Sequence, residues 1–210
     1  MSHEDTAFHP PNIQHTPENL FILLPLSTHY KNMSSKPVAL ILGSGPRVGA
    51  AVAKKFASIG YLVAVVSRKA TEGKSAEGYL SIKADLSNPS SIPAIFDVVK
   101  AEFQNLPNVV VYNAAALTPP ANNDLFSIPA ENLQVDLNTN TVSAYAAAQQ
   151  TVKGWETLAN DSKKMFIYTG NKQNVIIGPL LLTATLGVGK SASSYFIGTA
   201  DTHYSKHGWR

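Results

Sequence analysis

The sequence predicts an α/β fold in which helices cover a doubly wound, parallel sheet within a single domain. Short apolar runs of strand length recur along residues 37–210, and stretches with helical spacing separate them. The first run, Val38–Leu42, is followed by glycines and then by a helical pattern, which indicates a strand, a glycine turn and a helix. A chain of 210 residues has room for one such domain, with about five strands.

Composition limits the possible functions. The absence of cysteine excludes disulfides, thiolate ligands and a cysteine nucleophile, and it is typical of a reducing, cytoplasmic compartment. Basic residues are scattered, apart from the tail His203–Arg210, and the net charge is only +3. The six histidines stand singly or near the chain ends. We therefore expect no nucleic-acid partner and no metal site.

The first 36 residues differ from the rest of the chain. They contain four prolines, four histidines and no sustained hydrophobic period. This predicts that 1–36 is a disordered or loosely attached extension of the domain at 37–210. Its apolar run, Phe21–Leu26, is too short for a membrane span and follows acidic residues, unlike a signal peptide.

The glycine turn after the first strand has the features of a phosphate-binding turn. Gly43 would allow a sharp turn, Gly45 the close approach of an anion, and Gly49 the packing of helix on strand. Free backbone N–H groups and the helix dipole would then face a phosphate. The candidate residues are Gly43, Ser44, Gly45, Arg47, Val48 and Gly49. The alternative is a strand-to-helix turn that binds nothing.

The second strand, Tyr61–Val66, predicts which dinucleotide the fold would prefer. It ends in Ser67, Arg68 and Lys69, with no acidic residue. In dinucleotide folds a carboxylate at this strand tip binds the ribose 2′-hydroxyl, whereas a basic group pairs with a 2′-phosphate. Arg68 therefore favours NADP(H), although a solvated arginine is the alternative.

The remaining strands and helices alternate along the chain. Strands are predicted at Tyr79–Ala84, Val109–Tyr112 and Met165–Tyr168, and helices at Ile92–Phe103, 131–158 and 190–207. The helix at 131–158 is expected to turn five apolar residues and one polar exception, Asn138, toward the core: Leu133, Leu137, Val142, Tyr145 and Ala146. The apolar segment Asn174–Gly189, broken by glycine and proline, predicts a loop over the cleft or an interface.

Several of these short motifs occur together in a recognisable order. They are the glycine turn, Ser67-Arg68, Asp85-Leu86, Tyr112-Asn113-Ala114-Ala115 and Val135-Asp136-Leu137-Asn138. In order and spacing they resemble the short-chain dehydrogenase/reductase family over about residues 37–210. The resemblance implies a Rossmann fold and an NADP(H)-dependent oxidoreductase. Such an enzyme transfers a hydride between the nicotinamide and a small carbonyl or alcohol substrate.

The resemblance also implies roles for individual residues. Asp85 and Leu86 would flank the adenine, and Asn113, Ala114 and Ala115 would line the cofactor cleft. Asn138 would hold a water of the family's proton relay. From the residues alone, Asn138 could equally be a buried amide whose hydrogen bonds are satisfied.

The catalytic end departs from the family pattern. The family's Tyr-x-x-x-Lys is missing, because Tyr195 is followed four residues later by Thr199. Alignment on the small residues at 191–193 places Lys190 at the tyrosine position and Ser194 at the lysine position. The serine position falls at Thr169 or Gly170, so only Thr169 could supply a hydroxyl. Asn138, Thr169 and Lys190 are therefore the catalytic candidates, and the alternative for Lys190 is a phosphate-contacting or exposed lysine.

These departures leave two other functions open. One is an NADP(H)-binding or regulatory protein without catalysis. The other is a plain interaction domain, because Pro46 removes a backbone donor and Arg47 stands where the family has glycine. Gly208–Arg210 is predicted to begin a further strand, so the domain is expected to be incomplete at its C-terminus. An edge strand left open would favour a homo-oligomer.

Overall fold

A computed structural model describes residues 36–178 and 180–210, so the extension predicted at 1–36 lies almost entirely outside the described residues. In chain order the strands are β1 (Val38–Leu42), β2 (Leu62–Ser67), β3 (Gly73–Lys74), β4 (Leu80–Lys83), β5 (Val109–Tyr112) and β6 (Met165–Tyr168). The helices are α1 (Val48–Ser58), α2 (Ile92–Phe103), α3 (Ala130–Leu137), α4 (Ser143–Trp155) and α5 (Ala184–Tyr204).

The six strands form one sheet in the order β3-β4-β2-β1-β5-β6. All neighbours are parallel except β3 and β4, so the predicted doubly wound sheet is confirmed. The sequence missed β3, because two residues are too few to show any period. Leu42 pairs with Val66 on one side and with Tyr112 on the other, so β1, β2 and β5 end together.

The core explains why β1 is a continuous apolar run. Leu40 and Leu42 pack with side chains of α2 and α4 on one face, and Ala39 and Ile41 pack with Ala53 of α1 on the other. All five residues of β1 are fully buried. A central strand covered on both faces needs apolar side chains at every position, not at alternate ones.

The outer edge of β6 is partly covered by the last residues of the chain. Trp209 forms a parallel bridge with Lys164, and the N–H of Phe166 donates to the carbonyl of Arg210 at 2.7 Å. The Trp209 ring packs edge-on against Trp155, with centroids 5.6 Å apart. The residues predicted to begin a further strand, Gly208–Arg210, thus lie beside β6, but they form an isolated bridge and not a strand.

The long helix predicted at 131–158 is divided by a π-helical turn at Asn138–Val142. The prediction that Val142 and Tyr145 face the core is wrong, since they are 43% and 52% exposed. The buried residues recur from Asp136 at ordinary helical spacing, so the prediction failed because it placed apolar side chains on the inward face. That face carries mainly polar or small side chains, which are Asp136, Thr139, Asn140, Ser143, Ala144 and Ala147.

None of the helices in the described part of the chain combines the length and hydropathy that crossing a membrane requires.

Candidate functional site

A cavity of about 520 Å³ lies at the carboxyl ends of β1, β2 and β5. In a doubly wound sheet this is the place where ligands bind. The cavity is lined by the glycine turn, the tips of two strands, the segment after β5 and one residue of the π turn. These residues are Gly43–Pro46, Ser67–Lys69, Ala84–Ser87, Asn113–Ala116 and Thr139.

Gly43 makes the sharp turn that the sequence predicts. Its φ is +91°, a left-handed value that suits glycine. A Cβ on Gly43 would lie 2.5 Å from the backbone nitrogen of Ala114. The turn therefore packs directly against the segment that follows β5.

The other two glycines of the turn have different surroundings. A Cβ on Gly45 would meet nothing within 4 Å, so the backbone there is open to a ligand. A Cβ on Gly49 would lie 2.6 Å from the Cα of Ser44, which shows that α1 packs tightly on the turn. These positions match the close approach and the helix packing expected of Gly45 and Gly49.

Fewer backbone N–H groups of the glycine turn are free to bind a phosphate than the sequence suggests. The N–H groups of Gly43 and Ser44 both donate to the carbonyl of Val66, and the N–H of Gly45 donates to Gly43. Pro46 has no N–H, but it forms part of the cavity wall and leaves the cavity open. The first helical hydrogen bonds come from Ala50 and Ala51, so only the start of α1 has unused donors.

Three residues predicted to bind the cofactor do not line this cavity: Arg47, Val48 and Gly49. Arg47 and Val48 are exposed, and Gly49 is buried against Ser44. The reason is that the turn closes after Pro46 and the helix then runs away from the cavity. The Arg47 side chain therefore does not fill the cavity.

The tip of β2 contributes two cations to the cavity lining, Arg68 and Lys69. The facing acid, Asp85, accepts a hydrogen bond from the N–H of Ser87 at 2.9 Å. Hydrogen bonds from Ser87 lower the pKa of Asp85, and the charge of Arg68 lowers it further. The predicted residues Ser67, Arg68, Asp85 and Leu86 thus lie together, with Lys69 as an additional cation.

The segment after β5 forms the inner wall of the cavity. The Asn113 side chain donates from Nδ2 to the carbonyl of Gly43 at 2.9 Å, and its N–H donates to Leu42. Asn113 therefore fastens β5 to the glycine turn. Ala114 and Ala115 line the cavity as predicted, and Ala116 and Thr139 extend the wall beyond them.

The inward-facing asparagine is Asn140, so the assignment of this position to Asn138 is wrong. The Asn138 side chain accepts a hydrogen bond from Gln134 at an exposed site. Asn140 is 0% exposed. Its side chain accepts from the N–H of Ala116 at 3.0 Å and donates to the carbonyl of Ala116 at 2.8 Å. Asn140 lies one helical turn after the buried Asp136, so it belongs to the inward face, whereas Asn138 does not.

Three side-chain hydroxyls donate hydrogen bonds to two backbone carbonyls of the π turn, those of Thr139 and Asn140. The Tyr112 hydroxyl donates to Thr139 at 2.6 Å, and the hydroxyls of Tyr168 and Ser193 donate to Asn140 at 2.7 and 2.8 Å. Burial raises the pKa of both tyrosines. The Asn140 carbonyl thus uses both lone pairs on protein groups, which leaves it no acceptor site for a relay water.

Lys190 and Thr169 are in contact at the carboxyl end of β6. The Lys190 ammonium donates to the carbonyl of Thr169 at 2.7 Å and lies 4.3 Å from the Tyr168 ring centroid. Lys190 is only 3% exposed, so it is not the exposed lysine of the alternative interpretation. Neither Lys190 nor Thr169 lines the cavity. Burial lowers the pKa of Lys190 to about 8.

The segment predicted to cover the cleft does not line the cavity. Within Asn174–Gly189, α5 begins at Ala184, and the described side chains before it include the fully exposed Ile177. No described residue of this segment is among those that line the cavity.

The lowered pKa of Lys190 predicts how stability depends on pH. Between pH 8 and the ordinary lysine value of 10.5 the unfolded chain binds the proton more strongly, so stability rises with pH. Below pH 8 Lys190 is charged in the folded state as well, so the full cost of burying that charge lowers the stability. Above about pH 10 stability falls with pH instead, because the raised pKa values of Tyr112 and Tyr168 make the folded chain hold those protons more strongly. Wild type should gain up to about 3 kcal/mol relative to Lys190→Met between pH 7 and 10.

Urea unfolding at four pH values in this window measures the effect. Lys153→Met, which removes an exposed lysine, controls for the loss of one charge. Parallel stability curves for wild type and Lys190→Met would contradict the prediction.

The parallel sheet and the cavity at its carboxyl edge define a nucleotide-binding protein of Rossmann type. A family model described as enoyl-(acyl carrier protein) reductase matches residues 46–170. A short chain dehydrogenase/reductase of Cryptosporiopsis sp. is 36% identical over 188 residues, which cover 84% of this chain and 74% of the relative. The chain belongs to the short-chain dehydrogenase/reductase family, whose members are oxidoreductase enzymes.

Solved structures agree on the fold. A 3-ketoacyl-(acyl-carrier-protein) reductase from Brucella melitensis, complexed with NADH, has a TM-score of 0.71 at 21% identity, with 83% of this chain and 72% of that chain covered. A metagenomic short-chain oxidoreductase in complex with NADP has a TM-score of 0.69 at 20% identity, with 84% and 79% covered.

Proposed function

We propose that the chain is an NADP(H)-dependent oxidoreductase that transfers a hydride between the nicotinamide and a carbonyl or alcohol carbon of a small molecule. The observation that carries the proposal is the cavity at the carboxyl edge of the sheet, with the glycine turn on one side and two cations on another. When bound, the nicotinamide supplies or accepts the hydride. The protein supplies the binding surface and the proton.

The lining suits a dinucleotide. The backbone at Gly45 is open and lines the cavity, so it allows a phosphate to approach closely. The small side chains of Ala114 and Ala115 leave room for a flat ring beside the strand end. Asp85 and Leu86 would flank the adenine.

The strand tip supports NADP(H) over NAD(H). Arg68 and Lys69 line the cavity, and the one carboxylate among the lining residues, Asp85, already accepts the N–H of Ser87. Two cations favour the extra phosphate of NADP(H), which carries nearly two negative charges. The structural neighbours were solved with either NADP or NADH, so this part of the proposal depends on the lining alone.

Lys190 is the group that we assign to proton transfer. Its pKa of about 8 lies close to the operating pH, as efficient acid–base catalysis requires. The carbonyl of Thr169 holds the ammonium, and Asn140, not Asn138, anchors the neighbouring loop. Because Lys190 is buried and does not line the cavity, this role requires that Nζ leave Thr169 when substrate binds.

One observation favours a second candidate, a protein that binds NADP(H) without catalysis. The Asn140 carbonyl is saturated by Tyr168 and Ser193, and Gly170 stands at one of the two positions where the family's serine could fall. The family's proton relay therefore has no equivalent here. Binding of NADPH without turnover would distinguish this candidate from the enzyme.

Fluorescence titration with NADPH, followed by NADPH oxidation against aldehydes, ketones and quinones, tests the proposal. Gly45→Val is the sharpest variant, because its side chain meets no protein atom within 4 Å of the Cβ and yet occupies the cavity lining. It should fold normally and lose NADPH binding. Saturable NADPH binding by Gly45→Val, or no NADPH binding by wild type at millimolar concentration, would reject the proposed cavity.

The choice of cofactor gives a separate prediction. Arg68→Ala should weaken NADPH binding by about 10- to 100-fold, because it removes a charge-assisted contact of about 1.5–3 kcal/mol. NADH binding should change by less than about threefold, since NADH lacks the 2′-phosphate. Lys83→Ala removes an exposed cation outside the cavity lining and serves as the control. Equal losses for NADPH and NADH in Arg68→Ala would contradict the assignment.

A further inference from the structure

The Lys190 ammonium is held by the last residue of β6, Tyr168, and by the residue after it, Thr169. Its Nζ donates to the Thr169 carbonyl at 2.7 Å, and the ring of Tyr168 lies with its centroid 4.3 Å from Nζ. A cation this close to an aromatic face is attracted by the ring. Beyond the Thr169 carbonyl, the Tyr168 ring is therefore the group in the described structure that favours the charged form of Lys190.

The Tyr168 ring is itself fixed from two directions. Its hydroxyl donates to the carbonyl of Asn140 at 2.7 Å. It also stacks on the ring of Tyr112, with centroids 5.8 Å apart and an interplanar angle of 12°. Tyr112 in turn is held by its hydrogen bond to Thr139. A ring held in this way presents a stationary face to the ammonium.

We propose that Tyr168 is a positioning residue for Lys190, and that its ring face keeps the Lys190 ammonium at the carboxyl end of β6. The part of this proposal that concerns proton transfer by the ammonium rests on the proposed function, and the positioning by Tyr168 does not. The ring attracts the ammonium and not the neutral amine, so it opposes the burial that disfavours the charge.

Other titratable groups near α5 do not account for the position of the ammonium. The titratable groups on the elements packed against α5 are Glu131 and Asp136 on α3, Tyr145 and Lys153 on α4, Lys172 after β6, and Lys206 and His207 after α5. In the described residues, the contacts of Lys190 Nζ are the Thr169 carbonyl and the Tyr168 ring. Tyr145 contacts Phe196 instead, and one oxygen of Asp136 has no hydrogen bond partner.

The test is an NMR titration of protein labelled with [13Cε]lysine, without cofactor or substrate. The Lys190 signal is identified by its loss in Lys190→Met. In Tyr168→Leu the titration midpoint of Lys190 should fall by about one pH unit, because the ring attraction is lost. Tyr168→Phe keeps the ring face, and Tyr112→Phe removes the hydroxyl bonded to Thr139, so both should stay within a few tenths of wild type. A midpoint in Tyr168→Leu equal to that of wild type would overturn the proposal.

A shape-matched comparison covers the case in which Tyr168→Leu does not fold. The Tyr168→Phe variant is compared with the same protein carrying 3,4,5-trifluorophenylalanine at position 168, whose fluorines weaken the ring face with little change in shape. The Lys190 midpoint should be lower by several tenths of a pH unit in the fluorinated protein. Identical midpoints would overturn the proposal.

The rate profile separates this proposal from the proposed function. If Lys190 transfers the proton, the pH dependence of NADPH oxidation in Tyr168→Leu should move with the NMR midpoint. An NMR midpoint that moves while the rate profile does not would reject proton transfer by Lys190 and leave the positioning by Tyr168 intact.

Discussion

Gly43→Ala is expected to destabilise the protein by more than about 3 kcal/mol, a large part of the stability of an ordinary domain. Two costs add. The left-handed φ of +91° alone costs a residue with a Cβ about 1–2 kcal/mol. In addition, the new Cβ would lie 2.5 Å from the nitrogen and 2.7 Å from the Cα of Ala114, which are backbone atoms that cannot rotate away.

Gly60→Ala is the matched control. Its φ is +93°, but a Cβ there meets nothing within 4 Å. It should therefore show the backbone cost alone, about 1–2 kcal/mol. The difference in urea unfolding free energy between the two variants isolates the overlap with Ala114. Equal losses in the two variants would mean that the turn and the segment after β5 do not pack as described.

The second large effect is expected for Asn140→Asp, which should cost about 3 kcal/mol or more at pH 7. Asn140 is fully buried, and its Nδ2 donates to the carbonyl of Ala116. Aspartate would place a carboxylate oxygen against that carbonyl, without a partner for its charge. Burial should raise the pKa of the new carboxyl in the folded state, so the loss should shrink as the pH falls toward 4.

Asn138→Asp makes the same chemical change two residues away on the same helix. Asn138 accepts a hydrogen bond from Gln134 at an exposed site, and a carboxylate accepts that bond equally well. We expect a loss below about 1 kcal/mol with little pH dependence. Urea unfolding of both variants at pH 7 and pH 5 decides which asparagine is inside. A larger loss in Asn138→Asp would restore Asn138 to the inward position.

Local sequence patterns predicted most of the fold. The bounds of β1, β5, β6 and α2 agree with the apolar runs and helical spacing, because each element is long enough to show its period. The two-residue strand β3 and the π turn were missed, since neither has a sequence period of its own. Ser67 and Arg68 were predicted from the tip of the second strand, whereas Asp85, Leu86 and Asn113 were predicted from the resemblance to the family.

The reacting end of the site was predicted less well. Lys190 and Thr169 do lie together, but their distance from the cavity lining depends on how α5 packs against β6. Arg47 and Val48 were assigned to the cofactor from their place in the glycine turn. The structure turns them away, because the helix starts after Pro46.

By itself, the sequence determined the parallel sheet, the glycine turn and a basic strand tip without an acid, because these features depend on residues close together in the chain. Only the tertiary structure decided that Asn140 faces inward and that Lys190 is buried against Tyr168 and Thr169. The physical reason is that the surrounding elements select which face of a helix is buried, and here the buried face carries mainly polar or small side chains that an apolar pattern does not predict. Likewise, the charge on a lysine depends on which groups from distant elements surround it.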